Sequence, residues 1–162
     1  MMRRIHRRCL LLAAMLSGAW PAQAGTATTS FNVTATVEAA CTVSATDLSF
    51  GTYTATGGAL DGSSSVTVTC SSGAAYQVGL GEGMGTGATA AARRMTSGTN
   101  QLRYGLYQDA GRGTVWGTGA GAAAAGTGSG AAQTLTVYGR IPGNQMVPAG
   151  SYADVIVVTV DF

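Results

Sequence analysis

Within Thr29 to Ala39 apolar and polar residues alternate, without a break from Ser30 on. Phe31, Val33, Ala35, Val37 and Ala39 occupy one parity, and Asn32, Thr34, Thr36 and Glu38 the other. Side chains on a strand point to opposite faces in turn, so this pattern predicts a strand with one buried face and one wet face. It has no turn signal and no hairpin partner upstream. Such a strand, ahead of the first cysteine of the exported chain, needs a sheet to join. The same period of two recurs in short runs punctuated by glycine, and no run beyond the leader carries an i, i+3, i+4, i+7 stripe. The chain is therefore expected to be an all-β sandwich.

Residues 1–24 read as a signal peptide. Arg3, Arg4, Arg7 and Arg8 form a basic head, Cys9 to Ala19 a short apolar run, and Ala22-Gln23-Ala24 an A-x-A site with cleavage between Ala24 and Gly25. The apolar run is too short for a spanning helix. Removal leaves 162 less 24, or 138 residues, enough for one domain. All nine basic residues are arginines and four leave with the leader. Five then face seven acids, so the basic character of the full chain is no argument for nucleic-acid binding. Without lysine, the exported chain offers no amine but its N-terminus.

Cys9 also leaves, so Cys41 and Cys70 remain. An even pair in an exported chain predicts one disulfide and an oxidising compartment. Residues 25–40 form an N-terminal extension and 41–162 the domain proper. Within the domain, Leu48 to Tyr53 is expected as a short strand and Thr54 to Ser63 as a turn-rich link. Val66, Val68 and Cys70 share a face, as do Tyr76, Val78 and Leu80, with Ser71 to Ala74 a hairpin or sheet-switching turn. Gly81 to Ala92 reads as a loop. Arg94-Met95 begins a brief strand, and Leu102, Tyr104 and Leu106 mark a clear one. Asp109 to Gly113 is a turn, and Val115-Trp116 begins another edge. Gly117 to Ala132, nearly all Gly, Ala, Ser and Thr, reads as a flexible surface loop. Thr134 to Ile141 and Tyr152 to Phe162 are expected to close a terminal hairpin around Pro142 and Pro148. The run Val155 to Val158 suits a strand covered on both faces or a central one.

The chemistry available to the exported chain is sparse. His6 is the sole histidine and leaves with the leader, so there is no imidazole base, no Ser–His or Cys–His pair and no histidine metal site. The acids Glu38, Asp47, Asp61, Glu82, Asp109, Asp154 and Asp161 are scattered singly. Gly79 to Gly83 matches a phosphate loop in composition alone, lacking the lysine and the following helix. Asp109 to Arg112 has too few oxygen ligands in register for calcium. Trp116, Tyr104, Tyr107 and Tyr138 could form a sugar-stacking surface, but alternate strand aromatics are more simply core and cross-strand packing. No catalytic, cofactor-binding or metal-ligating residue is expected, and the chain is not expected to be an enzyme.

From Cys41 onward the sequence resembles the spore coat protein U domain, the fold of subunits of archaic (Csu-type) chaperone–usher pili. The resemblance is carried by an ordered set. Cys41 precedes Leu48-Ser49-Phe50-Gly51-Thr52-Tyr53, and Val66-Thr67-Val68-Thr69-Cys70 follows. Then come Arg94-Met95, Leu102-Arg103-Tyr104-Gly105-Leu106-Tyr107-Gln108-Asp109, Trp116-Gly117 and Val137-Tyr138-Gly139-Arg140-Ile141-Pro142. Pro148-Ala149-Gly150-Ser151-Tyr152-Ala153-Asp154 leads into the last strand. The resemblance implies an incomplete immunoglobulin-like β-sandwich completed by donor-strand exchange. Its partners would be identical or related pilin subunits, a periplasmic PapD-like chaperone and an outer-membrane usher, with no nucleic acid and no cofactor. Export would run to the periplasm and on to a surface fimbrium serving adhesion and biofilm formation. On that reading Phe31, Val33, Ala35 and Val37 are the donor side chains, and Tyr152, Ile156, Val158, Val160 and Phe162 edge the acceptor groove. Two other readings stand beside it: a surface coat or matrix protein with the same domain, and a small carbohydrate-binding adhesin.

Overall fold

The computed structural model describes residues 23–162, so the signal peptide expected over residues 1–24 lies, apart from its last two residues, outside them. The chain divides between Thr36 and Val37. Residues 23–36 contain no strand, and both Phe31 and Val33 are exposed.

Residues 37–162 hold eight strands: β1 (Cys41–Ala45), β2 (Leu60–Cys70), β3 (Ala75–Leu80), β4 (Arg93–Ser97), β5 (Asn100–Tyr107), β6 (Ala124–Thr127), β7 (Ala132–Ile141) and β8 (Val158–Asp161). One sheet runs β1-β2-β7-β5-β4 and the other β6-β3-β8. Every strand pairing is antiparallel. The turn at Ser71 to Ala74 carries the chain from the first sheet to the second. Alternation then delivers the core. Val66, Val68, Leu102, Tyr104, Leu106, Val137 and Ile141 come from the first sheet, and Tyr76, Val78 and Leu80 from the second.

Cys41 and Cys70 are directly opposed in the β1–β2 register and joined by a disulfide. The bond pins the start of a short edge strand to the end of the longest strand. Closing a loop of sequence separation 29 contributes about 3–4 kcal/mol on the chain-entropy account. Mass spectrometry of the unreduced protein should show two hydrogens fewer than the sequence requires and no alkylatable thiol; two free thiols would contradict the bond.

Four expectations are corrected. Leu48 to Tyr53 is not a strand. Leu48 and Phe50 do share the inward face, but they fill the space above Gly62 and Gly139, where a Cβ would stand 3.2 Å or less from their atoms. The segment is a strap over the first sheet, fixed at its far end by Tyr53, whose hydroxyl donates to Pro142 O and accepts from Gln145 N. Thr54 to Ser63 is not all link, because β2 begins at Leu60. Gly117 to Ala132 is not all flexible loop, because Ala124–Thr127 pairs with β3 as an edge strand. Tyr76 covers Gly126 so closely that a side chain there would collide with the ring. Finally, β7 and β8 form no hairpin: β7 pairs with β2 and β5, whereas β8 pairs with β3 in the other sheet.

Trp116 is buried, its indole N–H donating to Val78 O at 2.8 Å, and Tyr104 is buried against Phe50 with ring centroids 6.2 Å apart. Both aromatics are core, as packing alone would have them.

Candidate functional site

The core is not closed. The terminal segment starts against the edge of the first sheet, where Ala153 exchanges backbone hydrogen bonds with Thr96 of β4 at 3.1 and 2.8 Å. It then crosses to the second sheet, where Gly81 N donates to Val157 O and β8 pairs with β3. Among the described residues β8 is thus the edge of its sheet, with a ladder on one side and none on the other. Across the gap stands β1, the edge of the first sheet.

Between the two edges lies a cleft of about 560 Å³. Its floor is core: Val66, Leu80, Leu106 and Val137 all reach it. Ala45 to Leu48 forms one wall, and Tyr152, Ile156 and Val158 stand on the other. Val43 faces inward by its register with Val68, yet it is 40% exposed. A second opening of about 820 Å³ shares Leu48, Phe50, Met95 and Tyr152 with the first and runs beneath the strap. Uncovered core surface of this kind costs free energy in water at about 25 cal/mol per Å² of apolar area. An unpaired strand edge beside it also templates pairing with another strand.

Of the residues expected to edge an acceptor groove, Tyr152, Ile156 and Val158 line the cleft. Val160 is half-buried and packs on the core, while Phe162 lies beyond β8 and is 61% exposed. The expectation that Val155 to Val158 is covered on both faces is corrected. Val155 and Val157 are exposed, Ile156 and Val158 half-buried, because the segment is an edge and alternates. Phe31, Val33, Ala35 and Val37 are all exposed, as are Ala24 and Gly25.

Asp154 anchors the wall. Its carboxylate accepts from the Tyr104 hydroxyl at 2.7 Å and from the amides of Met84 and Val155 at 2.7 and 2.8 Å. Burial pushes the Tyr104 phenol far above its usual range, and the bond to Asp154 adds to this, so the hydroxyl stays a donor.

One residue that supports the site was not expected. Arg93 is fully buried on β4. Its guanidinium donates to Gly81 O and Ala90 O at 2.8 Å, Leu80 O at 2.9 Å and Trp116 O at 2.6 Å. Desolvation lowers its pKa, Tyr104 and Asp154 oppose that shift, and the four carbonyl oxygens accept the guanidinium's hydrogen bonds. The clamp fixes the end of β3, the strand on which β8 depends. Arg93 sits two residues before Met95 on the inward parity, and that spacing was the available signal.

Among the described residues no three His, Cys, Asp or Glu side chains gather as a metal site. Chemically, the cleft can take an extended segment that supplies backbone donors to β8 and apolar side chains to the floor.

The Spore Coat Protein U domain matches residues 27–159. Protein U of Myxococcus xanthus is 38% identical over 166 residues, spanning 93% of each chain. Among solved structures, the pre-assembly complex of CsuC and CsuE, chaperone and tip adhesion subunit of the archaic chaperone-usher Csu pili of Acinetobacter baumannii, contains a similar chain. The TM-score is 0.58 at 26% identity, over 78% of this chain and 40% of that one, so the present chain spans two-fifths of the solved chain's length. The incomplete immunoglobulin-like sandwich expected from the sequence is the fold found.

Proposed function

The chain belongs to the Spore Coat Protein U domain family, and from that membership we propose that it is a structural subunit of an archaic chaperone–usher pilus. Subunits polymerise when residues 25–40 of one chain enter the cleft of the next. The observation that carries this reading is the cleft itself: an apolar gap floored by core residues and bordered by a strand edge with no partner among the described residues. Phe31, Val33, Ala35 and Val37 have the period-2 spacing that would place them on its floor while Asn32, Thr34 and Thr36 face water. Before assembly a PapD-like periplasmic chaperone lends the missing strand, and an outer-membrane usher exchanges it for the neighbour's. Cleavage between Ala24 and Gly25 frees the donor, and the finished fibre stands on the cell surface, where it serves adhesion and biofilm formation.

A surface coat or matrix protein is the second reading. It is favoured by the end-to-end match to Protein U, which spans 93% of both chains. The two readings differ in what is recovered from the surface. A pilus yields thin fibres by electron microscopy and a ladder of SDS-resistant oligomers that collapses on boiling. Its periplasmic precursor comes out as a one-to-one complex with the chaperone. A monomer released by mild detergent, with no ladder and no chaperone complex, would transfer the chain to the coat reading.

A further inference from the structure

The five arginines outside the leader are not scattered. Arg93 is the buried clamp, and the other four gather at one end of the outer face of the first sheet. On β5, Leu102, Tyr104 and Leu106 point inward, so Arg103 and Tyr107 point outward. On β7, Val137 and Ile141 point inward, so Tyr138 and Arg140 point outward. The register places Arg94 directly opposite Arg103, Arg140 opposite Gly105, and Tyr138 opposite Tyr107. Arg112 reaches the same patch from the turn after β5, standing 3.2 Å from Asp61, which Arg140 holds at 2.7 and 2.9 Å.

The charge balance of the patch is lopsided. Asp61 is the one carboxylate among its outward side chains, and two arginines share it. Asp109 lies in the adjoining turn, but its oxygens accept from the amides of Gly113 and Thr114. Arg94 bonds only neutral oxygens, those of Thr86 and Gln101, and the Arg103 side chain, exposed, has no acid within ion-pair reach among the described residues. Like charges set directly opposite on neighbouring strands are destabilising. Arg94 and Arg103 are such a pair, and an anion set between them removes the penalty.

The geometry points to this face as a binding surface for an acidic polysaccharide, a uronate-bearing glycan. Arginine forks match carboxylates in a bidentate way. Tyr107 and Tyr138 supply aromatic surface for sugar rings beside them. The ion-paired carboxylate of Asp61 is an acceptor for sugar hydroxyls. Duplex DNA fits less well. It carries a charge every 1.7 Å or so, whereas this patch has two arginines without an acidic partner among the described residues, and a carboxylate, on a chain whose described residues hold five arginines against seven acids.

The test uses protein recovered from the cell surface, on which the face is present whether or not the subunits form a fibre. Binding to immobilised polygalacturonate is measured against neutral dextran and duplex DNA. The wild type should be retained on polygalacturonate alone. Retention should fall as ionic strength rises from about 0.01 M to about 0.15 M, which shortens the Debye length from about 30 Å to about 8 Å. Arg103→Glu removes no intramolecular bond and should weaken binding about tenfold or more. Arg103→Lys should keep part of it at an unchanged urea midpoint, and Arg103→Glu, which sets a carboxylate opposite Arg94 in place of a like charge, should not lower the midpoint. Absence of retention on polygalacturonate at low salt overturns the assignment. So does equal binding by Arg103→Glu, and so does retention on duplex DNA or dextran matching that on the uronan.

Discussion

Cells whose only copy of this protein lacks Gly25 to Val37 should carry no fibres, and the truncated subunit should accumulate with its chaperone in the periplasm. On the proposed reading the deletion removes the donor and leaves the acceptor whole, so the subunit could receive a strand but could not give one. Phe31, Val33 and Val37 are 86%, 83% and 90% exposed in the single chain. Moving those three side chains from water to an apolar floor gives about 4–9 kcal/mol gross, from which ordering the segment subtracts. Val33→Asp should act in the same direction, because an unpaired carboxylate is strongly unfavourable in an apolar groove. Protonation lets part of the carboxylate adapt, so the point variant should give shortened ladders rather than none. Electron microscopy and SDS-resistant laddering of surface fractions read both variants. Normal fibres from the deletion variant would make residues 25–40 an ordinary leader to a domain that assembles in some other way.

Arg93→Met should be the most destabilising single substitution within the sandwich. The side chain is fully buried and donates to four carbonyls on three separate segments. Methionine fills much of the volume and supplies no donor. Leu80 O and Trp116 O, the two most deeply placed acceptors, then lose their bonds to the guanidinium, and a buried unsatisfied group costs about 1–3 kcal/mol. The expected loss is about 3–5 kcal/mol, a range reached when a buried hydrogen-bond network is broken. It should appear as a fall in the urea midpoint at unchanged slope. Arg93→Lys should recover little, since one ammonium cannot span acceptors that the planar fork joins. A shift of less than about 1 kcal/mol for Arg93→Met would mean that the surrounding loops hold themselves.

The faces of the long strands were legible, because burial follows parity wherever side chains are large. Val66, Val68 and Cys70, then Tyr76, Val78 and Leu80, then Leu102, Tyr104 and Leu106 each proved a buried set. Parity, however, reports which way side chains point and not what the backbone pairs with. Leu48 and Phe50 alternate as a strand would, but their rings and methyls occupy the hollows over Gly62 and Gly139 without any ladder. The converse error is β6, whose Ala-Gly composition carries no parity signal. Its order comes from β3 and from Tyr76 lying across Gly126. The terminal hairpin failed because adjacency in sequence suggested pairing, whereas β8 pairs with a strand some eighty residues earlier. Of the candidate site, the terminal segment was legible from its run of apolar residues. The opposite wall, built by Ala45 to Leu48, was not, since short irregular chain has no periodicity to read.

The place of the disulfide governs how a fibre of these subunits would bear tension. A pull transmitted through an inserted donor arrives at Cys41, the first residue of β1. By hydrogen bonds alone, that load would peel β1 from β2 one register pair at a time, and there are five. The sulfur bridge passes the load around β1 to Cys70 at the end of β2, which is laced to β7 through ten register pairs. The short first strand is thereby taken out of the line of force, and the subunit is gripped by its longest seam.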